Sequence, residues 1–202
     1  MKIEGVKWSN IMALPSKSYI CSNCGNSLAS ANGFSAFFPP NQNNIIAWIY
    51  ICHFCFQPTY FDIGGNQIPG SLYGNKVNSL PSEVETLYNE ARTCTSCNAY
   101  TASVLCSRKL LMNIAVSKGA DKGLKFIEYV EYLSNQHFIP PNGKDWVDHI
   151  RTKGNEATHE ISIMKKEDAE ELITFIEMLL KFIYEFPATI KRKKSGNNEQ
   201  KK

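Results

Sequence analysis

Two short cysteine pairs constrain this chain more than any other feature. Cys21-Ser22-Asn23-Cys24-Gly25 and Cys52-His53-Phe54-Cys55 are both C-x2-C, with 27 residues between the pairs. Two residues between cysteines let a tight turn aim both sulfurs at one cation, while backbone amides offset the thiolate charge. Gly25 suits the positive-φ position that closes such a turn. Two turns of this kind supply the four thiolates of a closed tetrahedral zinc site, Cys21, Cys24, Cys52 and Cys55. With every coordination position filled by protein, the expected zinc is structural, because no place is left for water or substrate. His53 lies inside the second turn and is the alternative ligand. A segment this small, with few aliphatics, is expected to depend on metal for its fold.

The surrounding composition limits where such a site can sit. The chain has 202 residues, 43% hydrophobic and 20% charged, which is the profile of an ordinary globular protein and excludes a disordered, collagen-like or coiled-coil chain. Its longest unbroken apolar run, Ile45 to Cys52, is eight residues, against the roughly 18–20 that a bilayer span demands. Met1-Lys2-Ile3-Glu4-Gly5 is not followed by an apolar export segment. The expected location is the cytoplasm, with no membrane association, where thiols stay reduced and seven cysteines do not form a disulfide framework. Cys94-Thr95-Ser96-Cys97 has no second pair to complete a site, so it reads as small apolar packing near a helix–helix turn.

The chain divides in two. Residues 1–80 are rich in Gly, Pro, Asn and aromatics, and runs such as Ile45-Ile46-Ala47-Trp48-Ile49-Tyr50 read as strands. Turn chemistry at Pro39-Pro40-Asn41, Asn43-Asn44, Gly64-Gly65-Asn66 and Pro69-Gly70 separates them. Trp48, Tyr50, Phe54, Tyr60 and Phe61 form either the small core around these strands or a base-stacking surface. Residues 81–190 carry helical periodicity. Five helices are expected: Ser82, as N-cap, to Thr95; Tyr100 to Ser117; Gly123 to Asn135; Lys144 to His159; and Lys166 to Phe186, stopped by Pro187. Their apolar stripes fit an up-and-down bundle, so the expected class is α+β, mainly α.

Charge is uneven. The net +3 combines six Lys/Arg against one Glu in the last twelve residues with 16 basic and 18 acidic side chains in the other 190. Residues 191–202 read as a disordered basic tail, either a solvated terminus or an arm that touches phosphates through Lys191, Arg192, Lys193 and Lys194. The expected fourth helix holds Gly154 in its interior, which costs about 1 kcal/mol relative to Ala and points to close approach by another helix. Arg151, Asn155 and His159 share one stripe of that helix at four-residue spacing. They form either a buried network that fixes helix register, with Arg108 as a partner, or a functional cluster.

Several stretches resemble the bacterial domain-of-unknown-function family numbered forty-one forty-five. These are Tyr88-Asn89-Glu90-Ala91, Ala99-Tyr100-Thr101-Ala102, Arg108-Lys109-Leu110-Leu111, Phe138-Ile139-Pro140-Pro141, His149-Ile150-Arg151, Gly154 through His159, and Glu167 through Leu172. That family is similar to the HEPN superfamily of helical bundles, found in toxin–antitoxin, restriction and anti-phage loci. The resemblance implies an N-terminal zinc ribbon followed by a HEPN-like bundle, and a homodimer. Catalytic HEPN proteins cut RNA without metal, using an Arg, then four to six intervening residues, then a His, typically as Arg-Asn-x-x-x-His. Asn155 and His159 match that pattern, whereas Gly154 stands where the superfamily has Arg, and Arg151 is seven intervening residues from His159.

Three functions follow. The first is a non-catalytic module that binds a protein partner from a defence operon or nucleic acid, with Lys153, Arg108 and the tail as basic contacts. The second is a metal-independent endoribonuclease in which His159 moves the proton, Arg151 stabilises the pentavalent phosphate and Asn155 orients it. The third is a structural dimerisation module. The departure at Gly154 favours the first.

Overall fold

The computed structural model describes residues 10–38, 44–139 and 163–199, and side chains as far as Lys194. The chain forms two compact units, Met1–Leu72 with Ser96–Asn98, and Tyr73–Thr95 with Ala99–Lys202. The class is α+β.

The first unit is a five-stranded antiparallel meander in the order β1 (Met12–Ile20), β2 (Ser27–Phe37), β3 (Ile45–Ile51), β4 (Pro58–Asp62) and β5 (Gln67–Ile68). β1 is an edge strand, and it contains Pro15, which lacks an N–H to give to a ladder. The β1–β2 register slips between Ala13 and Lys17, around that proline. Gly33 sits where β2 runs between two partners, opposite both Met12 and Tyr50. A Cβ there would lie 1.8 Å from the Ile49 carbonyl oxygen, so only glycine fits. The core comprises Leu14, Tyr19, Leu28, Tyr50 and Phe61 together with three of the cysteines, and Trp48 packs against it. Tyr19 and Tyr50 each meet the Phe61 ring edge-on, at 5.2 and 5.7 Å between centroids. Phe54 and Tyr60 are exposed, so the expected aromatic group divides between core and surface.

The second unit contains α1 (Ser82–Ser96), α2 (Tyr100–Ser117), α3 (Phe126–Asn135), and a long final rod. That rod is α4 (Lys166–Leu180), a π-helical turn at Lys181–Glu185, and α5 (Phe186–Glu199). α2 packs against both α3 and α4, burying Leu110, Leu111, Ile114 and Ala115 on one side of this core and Leu172, Ile173, Ile176, Leu179 and Leu180 on another. The expected helix from Lys144 to His159 lies outside the described residues.

Ahead of α1, residues 73–78 are strapped onto the helices. Arg92 donates to the carbonyl oxygens of Tyr73 and Gly74 at 2.9 and 2.7 Å, and Tyr88 donates to that of Asn75 at 2.9 Å. Glu177 accepts from the Asn75 backbone and side-chain nitrogens at 2.7 and 2.9 Å.

Four sequence expectations need correction. The Glu85 N–H bonds to the Pro81 carbonyl, so Ser82 is already inside α1 and is not its cap. α3 begins three residues late, because Gly123 adopts φ +85° and the Lys125 N–H is capped by Glu128 at 2.6 Å. Its buried face is Phe126, Tyr129, Val130 and Leu133. Pro187 does not stop the last helix: the Phe186 N–H reaches back five residues to the Lys181 carbonyl, and this wider turn admits the proline at the start of α5. Residues 191–199, expected as a disordered tail, continue as helix. Lys and Arg are good helix formers in its interior.

Candidate metal centre

The meander topology explains why the two cysteine pairs meet. The turns joining β1 to β2 and β3 to β4 fall at the same end of the sheet, and each turn is one cysteine knuckle. Ile20 pairs with Ser27 and Ile51 with Pro58, leaving the six-residue loops Cys21–Asn26 and Cys52–Gln57. The loops close identically. The Cys21 N–H bonds to the Asn26 carbonyl at 3.0 Å and the Gly25 N–H to the Cys21 carbonyl at 2.9 Å. In the second loop, Cys52 bonds to Gln57 at 3.0 Å and Phe56 to Cys52 at 2.8 Å. Gly25 takes φ +72°, as the sequence requires, and Phe56 takes the same left-handed conformation at φ +60°. The cost to a non-glycine residue is roughly 1–2 kcal/mol, so the second knuckle holds local strain that the first avoids.

All four Sγ atoms lie within 4.8 Å of one another. Cys21 and Cys55 are 3.7 Å apart, and Cys24 and Cys52 are 3.8 Å apart. A tetrahedron with Zn–S arms of about 2.3 Å has edges of about 3.8 Å, so these two opposite edges already have the length that zinc imposes. Four sulfur donors suit zinc over the hard cations, which take oxygen. The fourth position is a cysteine, and His53 is exposed, its ring 4.3 Å from that of Phe54.

The protein around the sulfurs sorts the thiols. Burial pushes up Cys21 and Cys55, against opposing backbone hydrogen bonds. Burial also acts on Cys24, but the backbone and side chain of Asn26 outweigh it and bring the thiol down to about 7. The Asn26 amide donates to Cys24 Sγ at 3.4 Å. Tyr19 is raised by its own burial and then by Cys52 and Cys21, which places its phenol in the field of the cluster. Asn26, Phe56 and Tyr19 thus support the site without any motif to announce them. Only the hairpin geometry reveals them.

Other expected site residues fare differently. Arg151, Lys153, Asn155 and His159 lie outside the described residues. Arg108 is 7% exposed with its guanidinium 4.3 Å over the Phe126 ring, and burial lowers its pKa. It belongs to the helical core and does not face solvent as a phosphate contact. Lys191, Arg192, Lys193 and Lys194 are exposed on α5, where Arg192 also donates to Ser79 at 3.3 Å. Cys94 and Cys106 are half-buried and Cys97 is exposed. Cys106 is raised to about 11 by burial and by Glu90 and Cys94 beside it.

The family model described as a domain of unknown function (DUF4145) matches residues 89–200, more than half the chain. The chain belongs to this family. No curated protein and no solved structure matches it. The DUF4145 match begins inside α1, whereas the helical unit starts at Tyr73, so the strap held by Arg92 and Glu177 precedes the matched region. The four-cysteine cluster lies wholly outside that region, at the tip of the sheet. Among the described residues, no helix is long and apolar enough to cross a membrane.

Proposed function

We propose that this DUF4145 protein is a non-catalytic binding module: a ribbon locked by structural zinc, joined to a HEPN-like bundle, that recognises nucleic acid or a protein partner in prokaryotic defence or restriction. The observation that carries it is the saturated cage of Cys21, Cys24, Cys52 and Cys55, whose sulfur spacing fits a metal with no open position. A metal held this way shapes the loops around it and takes no part in chemistry. The second knuckle presents His53 and Phe54 outward as a paired aromatic tip. Lys191 to Lys194 add four exposed cations around one turn of α5. The HEPN-like fold and the defence setting rest on the family resemblance and on the sequence around Gly154.

The test is a salt titration of oligonucleotide binding by the zinc-loaded chain. Nucleic-acid binding through these cations should weaken linearly on a log–log salt plot, and the slope should flatten when Lys191, Arg192, Lys193 and Lys194 become Ala. No binding at low salt assigns recognition to a protein partner. RNA should stay intact under both conditions. Cleavage that disappears in His159→Ala would replace this proposal with the endoribonuclease.

A further inference from the structure

Cys94 on α1 and Cys106 on α2 take no part in the zinc cage, and both belong to the helical unit. The seam where α2 runs back along α1 is polar and buried. Thr95 and Ser103 meet across it through a hydroxyl hydrogen bond of 2.7 Å. One turn further from the loop, Ala91 and Ser107 continue the same two faces, both fully buried.

The Thr95–Ser103 bond sets the register of the hairpin. It places Cys106 level with Arg92, midway between Glu90 and Cys94, which lie one helical turn apart on α1. Glu90 and Cys94 each precede a seam residue by one position, as Cys106 precedes Ser107. On antiparallel helices, one step back on each turns both toward the same flank of the seam. Cys106 accordingly has Glu90 and Cys94 beside it. Both cysteines are half-buried at this margin, within reach of a small solute.

We propose that Cys94 and Cys106 are a reversible dithiol–disulfide site, closed by hydrogen peroxide and opened by a thiol reductant. Cys94 takes the first step, because burial, Glu90 and Cys94 push the Cys106 thiol up to about 11 and keep it protonated near neutral pH. The Cys94 thiolate attacks one peroxide oxygen and the O–O bond breaks. The departing hydroxide takes up the proton that the thiol gave up, leaving Cys94 as a sulfenic acid. The Cys106 sulfur then attacks the Cys94 sulfur, the S–O bond breaks, and hydroxide leaves as water with the Cys106 proton. Two thiols and one peroxide become one disulfide and two waters, with two electrons passing to the peroxide. The bond staples α2 to the helix whose Tyr88 and Arg92 hold the strap at residues 73–78. Reversible bonds of this kind serve as sensors where thiols are otherwise kept reduced.

The readout is a covalent bond, so the inference stands apart from the binding reading. The full zinc-loaded chain is treated with a small excess of hydrogen peroxide, alkylated and digested. Trypsin leaves Cys94, Cys97 and Cys106 in one peptide, residues 93–108, and a further cut after Tyr100 shows whether its halves are joined. Wild type and Cys97→Ser should both hold the Cys94–Cys106 bond and lose it in dithiothreitol, whereas Cys94→Ser and Cys106→Ser should not form it. The closed form should melt about 5 °C or more above the reduced form, with zinc content unchanged. A Cys94–Cys97 bond, a bond between two chains, or oxidation confined to the zinc cysteines overturns the inference. So does Cys94 carried on to the sulfinic acid while Cys106 is still a thiol.

Discussion

Gly25→Ala tests the knuckle at its narrowest point. Gly25 holds φ +72°, and a Cβ built on it meets no heavy atom within 4 Å. The substitution therefore removes no contact and creates no clash, and its whole cost is conformational, about 1–2 kcal/mol for forcing an L-residue into the left-handed region. The Gly25 N–H to Cys21 carbonyl bond closes the loop that aims Cys21 and Cys24 inward, so relaxing φ opens the cage. Where folding and metal binding are coupled, that cost is drawn from zinc affinity, and 1–2 kcal/mol corresponds to about 5- to 30-fold weaker binding. Competition against a chromophoric chelator at fixed pH measures it. Gly25→Asn should lose less, because Asn tolerates the left-handed region better than Ala. If Ala, Asn and Gly bind zinc within twofold of one another, the argument from backbone conformation is refuted.

Gly33→Ala should be far more damaging, by about 3 kcal/mol or more, since its Cβ would sit 1.8 Å from a backbone oxygen that cannot yield without breaking the β2–β3 ladder. Urea denaturation followed through the β-sheet signal reads it. Zinc affinity should fall as pH falls through the neutral range: burial keeps Cys21 and Cys55 protonated in the metal-free protein, and each must lose its proton to bind. Calorimetry in buffers of different ionisation enthalpy should count at least two protons released on loading. Tyr88 is raised above its ordinary 10.0, by burial and then by Glu177. Its contribution to stability is complete below pH 10 and is lost above it, as the unfolded chain's tyrosine ionises first. Stability of the helical unit should drop by up to about 1.4 kcal/mol per pH unit there, and Tyr88→Phe should flatten that slope.

The four-cysteine cluster was legible because its signal is local and doubled: two cysteine pairs at fixed spacing encode one geometry. The meander that unites them was not, since strand order is a non-local choice, and only the strand character of runs such as Ile45–Tyr50 could be read. Phe56 illustrates a further limit. It takes the conformation that glycine marks at position 25, yet nothing in its residue type betrays a positive φ. Pro187 misled for the opposite reason. Its helix-breaking rule assumes i to i+4 bonding, and a π turn one residue upstream suspends that assumption. For Arg108 the sequence leaves a basic contact and a partner in a buried network both open, and the guanidinium lying 4.3 Å over the Phe126 ring puts it in the core.

Metal analysis of the purified chain, paired with cobalt substitution, tests the central claim most directly. One zinc per chain, exchangeable for cobalt with the intense bands of a tetrahedral four-thiolate site, is the expected result, and Cys52→Ser should abolish those bands. A metal-free chain whose sheet unit is folded as stably as after zinc addition would contradict it.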